Sequence, residues 1–156
     1  MLVYRITKTQ YAERLTASGG AARWNSRGPS SPGQFVVYTA ASRALACLEN
    51  VVHRSGEGLN DLFRVMVIAI PDALPVERID LETLPANWAD FQQYGYCQQR
   101  GSDWLLRGTT AVLQVPSAII PGEYNYLLNP AHPDFTQIKL TGTEPFRFDP
   151  RIKTAP

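Results

Sequence analysis

The sequence predicts an α+β fold in one compact domain that spans residues 1–156. Segments rich in β-branched and aromatic residues outnumber the helical ones and do not alternate with them, as a βαβ architecture would require. The 12 prolines and 11 glycines are spread along the chain, which indicates many short elements with frequent turns. A hydrophobic content of 44% over 156 residues is enough for one packed core.

The predicted strands are apolar, β-branched or aromatic runs that end at a proline, a glycine or a polar turn. They cover residues 2–6, 35–39, 62–70, 76–79, 111–115, 118–120 and 124–128. The segment 135–151 is expected to add one or two short edge strands.

Three segments are predicted to be helical: residues 9–15, 42–54 and 84–107. The middle segment is the clearest helix, because Leu45, Leu48 and Val52 fall on one stripe and a glycine lies just past its end. The first would form a short helix. The third is expected to be broken, since Gly95 and Gly101 interrupt it.

Charge and cysteine content exclude several classes of protein. The formal net charge is +1 and no basic stripe is visible, so we expect no direct binding to nucleic acid. Cys47 and Cys97 are not at metal or redox spacing and are expected to be free thiols in a reducing compartment. The N-terminus lacks an apolar signal region, and no apolar run could span a membrane. A soluble cytoplasmic protein is therefore expected.

The familiar sequence motifs of several enzyme classes are missing. We find no dinucleotide-binding GxGxxG motif after a strand, no P-loop, no HExxH motif and no GxSxG elbow. Only two histidines, His53 and His132, are present, which argues against a histidine-rich metal site. No metal is expected.

Glu49 is the first candidate for chemistry. It follows Leu45 by one helical turn, at the edge of the apolar stripe. A carboxylate drawn halfway into the interior costs free energy unless it is paired. The alternative is an edge glutamate that reaches solvent or pairs with an arginine.

Arg23 lies in a polar segment, residues 18–34, that also holds Trp24 and Arg27. A loop with a large aromatic residue and two arginines suggests a binding element. A guanidinium offers fixed donors that suit a diphosphate or a carboxylate, and nearby glycines let backbone amides approach an anion. The alternative is a surface arginine in a mobile loop.

Three further residues are weaker candidates when each is taken alone. Ser117 follows a strand and a proline, where a hydroxyl could reach a ligand amide or ribose, or could simply form a turn. Tyr38 could stack on a ring or belong to the core. Asn125 could position a ligand or hydrogen-bond a turn.

The ordered set of segments is more specific than any single residue. ARWNSRG leads into VVYTA, then LACLE, then VPSAIIPGEYNYLLNP. In this order the chain resembles the RES domain, the toxin half of bacterial RES–Xre toxin–antitoxin pairs, from Tyr4 to Arg151. The family is named for an arginine, a glutamate and a serine, which map onto Arg23, Glu49 and Ser117.

The resemblance implies a fold similar to bacterial ADP-ribosyltransferase toxins, in which small sheets flanked by short helices cradle NAD. NAD would be a substrate, with no cofactor. The implied reaction is cleavage of the nicotinamide–ribose bond by hydrolysis or phosphorolysis, which stops growth. The alternative is transfer of ADP-ribose to a protein; a ribonuclease toxin and a non-catalytic binding module are remoter.

The resemblance also implies roles and partners. Three residues would be catalytic: Glu49 would stabilise the ribosyl cation, Arg23 would hold the diphosphate, and Ser117 would orient the nicotinamide amide or the ribose. The residues expected to contact NAD are Arg23, Trp24, Arg27, Tyr38, Ser117 and Asn125. The implied protein partner is an Xre-type antitoxin that holds the enzyme inactive, and the toxin could form a homodimer within that complex.

Overall fold

The computed structural model describes residues 1–26, 34–53 and 62–152. The described strands are β1 (Leu2–Lys8), β2 (Val37–Ala40), β3 (Phe63–Ala69), β4 (Val76–Arg78), β5 (Val112–Pro116), β6 (Tyr124–Leu128) and β7 (Lys139–Phe146). The described α-helices are α1 (Arg43–His53) and α2 (Tyr94–Arg107), and short 3-10 turns occur at Thr9–Tyr11, Leu81–Thr83, Phe91–Gln93 and Pro133–Gln137. The α+β class predicted from the sequence is confirmed.

The described strands form one sheet that consists of two nearly separate halves. Its order is β4-β5-β6-β2-β1-β3-β7, and all neighbours are antiparallel except β4 and β5. β1 pairs with β3 along its whole length, whereas β1 and β2 share only the pair Tyr4↔Ala40. Beyond this pair the two strands diverge. The expected small sheets are thus joined at a single point, and a gap opens between them.

The core clusters explain where that gap lies. One cluster runs beneath both halves of the sheet and includes Val3 of β1 and Leu128 of β6. On the opposite face the buried residues divide into two clusters, one under α1 around Leu45 and one under α2 around Trp104. Side chains of successive strand residues point to opposite faces, so the two-faced burial follows from the strand alternation. The cleft described below lies on the divided face.

Two local predictions from the sequence are wrong. Residues 9–15 form only the 3-10 turn Thr9–Tyr11. Residues 118–120 are a bend rather than a strand, because the Ser117 hydroxyl accepts hydrogen bonds from the backbone N–H groups of Ile119 and Ile120, both at 3.1 Å. A backbone donor held by a side chain is not free to join a strand ladder.

The helices also differ in detail from the prediction. α2 is continuous over 14 residues, although Gly95 and Gly101 lie inside it. In α1 the buried residues are Leu45 and Ala46, whereas Leu48 and Val52 are exposed, so the expected stripe is wrong at two of its three positions. Both predicted free thiols are confirmed, and no helix in the described parts of the chain is long and apolar enough to cross a membrane.

Candidate active site

A cleft of about 700 Å³ opens where β1 and β2 diverge. Its walls are α1 and β1 on one side and the turn that carries Arg23 on the other. The volume falls in the usual range for small-molecule sites, which is roughly 300–1,000 Å³. Of the predicted site residues, the lining includes Arg23, Trp24, Tyr38, Glu49 and Asn125.

Glu49 reaches this cleft from the middle of α1. The Ser42 hydroxyl accepts a hydrogen bond from the Leu45 backbone N–H at 3.1 Å and so caps the helix where the sequence predicted its start. Burial of Leu45 fixes the rotation of the helix about its axis. Glu49, one turn later, then faces the cleft with 23% of its side chain exposed.

The Glu49 carboxylate is held on both oxygens. Its Oε1 accepts a hydrogen bond from Asn125 Nδ2 at 2.6 Å and a longer one from Ser117 Oγ at 3.4 Å. Its Oε2 lies 3.2 Å from His53 Nε2. The alternative reading of the sequence, a glutamate in solvent or paired with an arginine, does not describe this arrangement.

Ser117 lies behind Glu49 rather than on the cleft surface. The residue is 5% exposed, and its oxygen accepts hydrogen bonds from two backbone N–H groups of the following bend. The hydroxyl donates a long hydrogen bond to Glu49 Oε1, at 3.4 Å. The hydroxyl therefore serves as a turn former, as one reading of the sequence held, and at the same time contacts the central carboxylate.

Asn125 leaves one polar atom without a partner. Its Nδ2 is engaged by Glu49, but its amide oxygen is buried and has no hydrogen-bond donor in the described part of the chain. An unpaired buried acceptor typically costs about 1–3 kcal/mol. Asn125 lines the cleft, so a ligand that brings an N–H or O–H group could relieve this cost.

Arg23 occupies a tight turn between Ala22 and Asn25, whose backbones form an antiparallel bridge. Its guanidinium donates to the carbonyl oxygens of Trp88 at 3.1 Å and Ala89 at 2.8 Å. The guanidinium also stacks over the ring of Tyr94, 4.6 Å from its centroid. Arg23 is thus held by two backbone carbonyls and an aromatic ring of other residues.

Tyr38 and Asn25 fasten this turn to the sheet. The Tyr38 hydroxyl donates to Asn25 Oδ1 at 2.6 Å and accepts from the Trp24 backbone N–H at 3.1 Å. Burial raises the pKa of Tyr38 well above its usual range. Asn25 is 1% exposed and also donates to the carbonyl of Gly20. Sequence reasoning missed Asn25, although its place beside Arg23 was a usable signal.

Trp24 points away from solvent. It is 3% exposed and packs against Trp88 in the cluster beneath α2. Its carbonyl lies so close to α2 that a Cβ built on Gly101 would sit 1.8 Å from the Trp24 oxygen. Gly101 is therefore required for the approach of the turn to the helix, and this explains a glycine in the middle of α2.

Arg5 is a second arginine in the cleft, and sequence reasoning missed it. It is half-buried on β1 and donates to the Thr16 carbonyl at 3.1 Å. No carboxylate of the described residues pairs with it, and desolvation lowers its pKa. The usable signal was a charged residue inside the apolar strand LVYRI, because arginine is rarely buried without a partner.

Three points about the site remain: the position of Arg27, the groups that could hold a metal ion, and the carboxylates that line the cleft. Arg27 lies outside the described residues. Within the described ranges, no group of histidine, cysteine, aspartate and glutamate side chains could hold a metal ion. Glu49 is the single carboxylate among the described residues that line the cleft.

Fold and site together define a class: an α+β protein whose split sheet frames a cleft with a helical glutamate on one wall and arginines around it. Residues 2–149 match the family model of the RES domain. The chain belongs to the RES domain family, as its motifs predicted.

Relatives cover nearly the whole chain. A protein of Sphingobium sp. strain YBL2, named Prs ADP-ribosylating toxin, is 40% identical over 152 residues, which are 93% of this chain and 90% of that one. A protein of Yersinia enterocolitica, named Toxin Res, is 33% identical over 159 residues, or 98% of this chain and 100% of that one.

A solved structure shares the fold. It is a chain in the crystal structure of the M. tuberculosis MbcT–MbcA toxin–antitoxin complex, with a TM-score of 0.71 and 19% identity. The match covers 94% of this chain and 84% of the solved one. At this identity the likeness establishes the shared fold.

Proposed function

We propose that this protein is the toxin of a cytoplasmic toxin–antitoxin pair and that it cleaves the nicotinamide–ribose bond of NAD, with water or inorganic phosphate as the acceptor. The observation that carries the proposal is the Glu49 carboxylate, which faces a cleft of about 700 Å³ and is held on both oxygens by neighbouring side chains.

A held carboxylate suits the chemistry of this bond. Cleavage at the ribose carbon builds an oxocarbenium-like cation, as in glycoside hydrolysis. A carboxylate that is already oriented stabilises that charge without reorganising during the reaction. Nicotinamide leaves by taking the electron pair of the broken bond and becomes neutral, so it needs no proton from the protein.

The arginines are suited to the diphosphate of NAD. Arg23 is pre-ordered by two carbonyls and the Tyr94 ring, and it has further N–H donors left. Arg5 is the stronger candidate, because a desolvated guanidinium that pairs with no carboxylate of the described residues gains most from an incoming anion. Arg27 stays a prediction in this role.

The other predicted residues differ in whether they contact NAD directly or act through a neighbouring residue. Ser117 and Asn125 orient Glu49, and the unpaired Asn125 oxygen can accept a hydrogen bond from a ribose hydroxyl or from the nicotinamide amide. Tyr38 acts through the Arg23 turn. Trp24 contributes a wall of the cleft while its ring stabilises the core.

Transfer of ADP-ribose to a protein is the second candidate function. The name of the 40% identical relative, an ADP-ribosylating toxin, favours it. Among the described residues of the cleft, Glu49 has no second carboxylate beside it that could activate a protein acceptor. This favours a small acceptor. A ribonuclease and a non-catalytic binding module are the remaining candidates.

An antitoxin is part of the proposal. The structural neighbour belongs to a toxin–antitoxin complex, and we extend that arrangement to this chain with an Xre-type partner, in which two toxin copies could face each other. The arginines would accept a carboxylate of the antitoxin in place of phosphate. Copurification with the product of an adjacent gene would support this, whereas a complex that consumes NAD at the full rate would contradict it.

The deciding experiment uses NAD labelled on its adenylate phosphate. The purified protein is incubated with it in cell lysate, with and without phosphate, beside Glu49→Gln as the matched inactive variant. Free labelled ADP-ribose or its phosphorylated form supports the proposal. Label retained on one discrete protein band shows a protein ADP-ribosyltransferase. Unchanged NAD, with RNA degradation tested in parallel, contradicts both NAD-consuming functions.

A further inference from the structure

His53 follows Glu49 by one turn of α1 and lines the same cleft. Its Nε2 atom lies 3.2 Å from Glu49 Oε2, and 60% of its side chain is exposed, against 23% for Glu49. His53 is the one histidine among the described residues of the cleft. In the proposed cleavage of the nicotinamide–ribose bond, the single role of His53 is to hold Glu49.

The two oxygens of Glu49 face different surroundings. Oε1 is turned inward to Asn125 and Ser117, which are partly or fully buried. Oε2 is turned to His53 at the solvent side. An acceptor that arrives from solvent therefore meets the imidazole before it meets the buried end of the carboxylate.

We infer that His53 is the general base that deprotonates the acceptor, an inference that rests on the proposed NAD cleavage. The contact with the Glu49 carboxylate favours the tautomer that carries its hydrogen on Nε2, which leaves the lone pair of Nδ1 to take a proton. The C1′–N bond breaks and its electron pair goes to nicotinamide. A C1′–O bond forms from the acceptor oxygen, and the acceptor proton passes to Nδ1. The imidazolium stays paired with Glu49.

No other described side chain of the cleft is suited to this step. The titratable groups that line it beside His53 are Tyr4, Arg5, Arg23, Tyr38, Glu49 and Tyr94. Guanidinium and phenol groups keep their protons near neutral pH, and burial makes this still more so for Tyr38. Glu49 is committed to the ribosyl cation. An imidazole, in contrast, is the side chain that most often acts as a general base.

One measurement distinguishes a general base from a residue that only orients Glu49. A base is needed only when the acceptor carries a proton, as water does. Azide is an anionic nucleophile with no proton to lose, so it can capture the ribosyl cation without a base. A variant that keeps the hydrogen bond to Glu49 but lacks the base should fail with water and recover with azide.

The test compares the wild type with His53→Gln, whose amide can still donate to Glu49, and with His132→Gln as the control. His132 is the other histidine of the chain and accepts a hydrogen bond from the Asp134 backbone outside the cleft lining. Nicotinamide release from NAD is measured for each purified protein with and without sodium azide, and thermal melting confirms that each is folded.

We expect His53→Gln to lose about a hundredfold in hydrolysis, a common size for the loss of a general base. Azide should restore its nicotinamide release at least about tenfold and yield an azido-ADP-ribose, while His132→Gln behaves like the wild type. A folded His53→Gln protein that hydrolyses NAD normally, or that azide fails to rescue, overturns the inference alone. A wild-type protein that releases no nicotinamide, with or without inorganic phosphate, overturns the proposed function as well.

Discussion

The two walls of the cleft are built by different means. On the α1 wall, Glu49 is held by side chains that donate hydrogen bonds to its carboxylate, chiefly from Asn125 and His53. On the opposite wall, the Arg23 turn is held through the backbone, by the bridge between Ala22 and Asn25 and by the contact of the Trp24 carbonyl with Gly101.

This difference predicts two kinds of failure. A substitution of Glu49, or of a side chain that contacts its carboxylate, removes charge or orientation while the shape of the cleft stays, so it should lower kcat. A change in the support of the Arg23 turn displaces a whole segment, so it should lower stability and NAD affinity together. The predictions below test this division in order of decreasing effect.

The largest effect is expected for Glu49→Gln. Glutamine keeps the size of the side chain but loses the charge that faces the developing cation, and removal of one such electrostatic group commonly costs about 10²–10³ in kcat. Nicotinamide release at saturating NAD measures the effect. Glu144→Gln, which changes an exposed carboxylate paired with Arg43, is the control and should leave kcat unchanged. Near-normal turnover of a folded Glu49→Gln protein would remove Glu49 from the mechanism.

The next effect belongs to Arg5→Gln. A lost hydrogen bond to a charged group is worth about 1.5–3 kcal/mol, or roughly 10–100-fold in NAD affinity. Because the diphosphate contact exists before and during the reaction, KM should rise while kcat changes little. Arg64→Gln is the matched control, since Arg64 lies on the neighbouring strand and donates to Thr143 outside the cleft lining. An unchanged KM for Arg5→Gln would indicate that Arg5 does not bind the diphosphate and that Arg23 on the opposite wall binds it instead.

Gly101→Ala tests the backbone-held wall. A Cβ at this position would meet the Trp24 carbonyl at 1.8 Å, so the turn must move. Overpacking of this kind typically costs about 1–3 kcal/mol of stability, and the displaced Arg23 should raise KM. Gly95→Ala is the control within the same helix, because nothing lies within 4 Å of its Cβ. Equal melting temperatures and KM values for the two variants would show that the turn does not depend on this contact.

A site residue can be predicted from the sequence when a local pattern, such as helical spacing or a family motif, marks it. Glu49 was found from helical spacing, and the family motifs brought Ser117 and Asn125 into the same set. Arg5 was missed because a strand pattern does not show that its partner strand has diverged. His53 was considered only as a possible metal ligand, because its contact with Glu49 in the cleft depends on the fold.

The sequence does not show which way a side chain points or which distant residues it contacts. Trp24 reads as a ligand contact in a polar loop, yet it packs into the core, because α2 returns to cover it from far along the chain. The Glu49–Asn125 bond joins residues 76 positions apart, and its 2.6 Å geometry depends on the register of β6 against β2. Long-range placement of this kind follows from tertiary packing and is not encoded in any local pattern.

The smallest effect is expected for Ser117→Ala, and it separates an indirect role from a direct one. The Ser117 hydroxyl lies 3.4 Å from Glu49 Oε1, a long contact beside the 2.6 Å bond from Asn125. A net hydrogen bond is worth about 0.5–1.5 kcal/mol, so kcat should fall only about two- to tenfold. If the serine acts through Glu49, its removal from a Glu49→Gln protein should have almost no further effect, because the interacting group is already changed. Steady-state kcat values of both single variants and of the double variant measure this coupling. Independent, multiplying losses would show instead that Ser117 contacts NAD itself, the role that the family resemblance implies, and the bend that it caps would then have to open when the substrate binds.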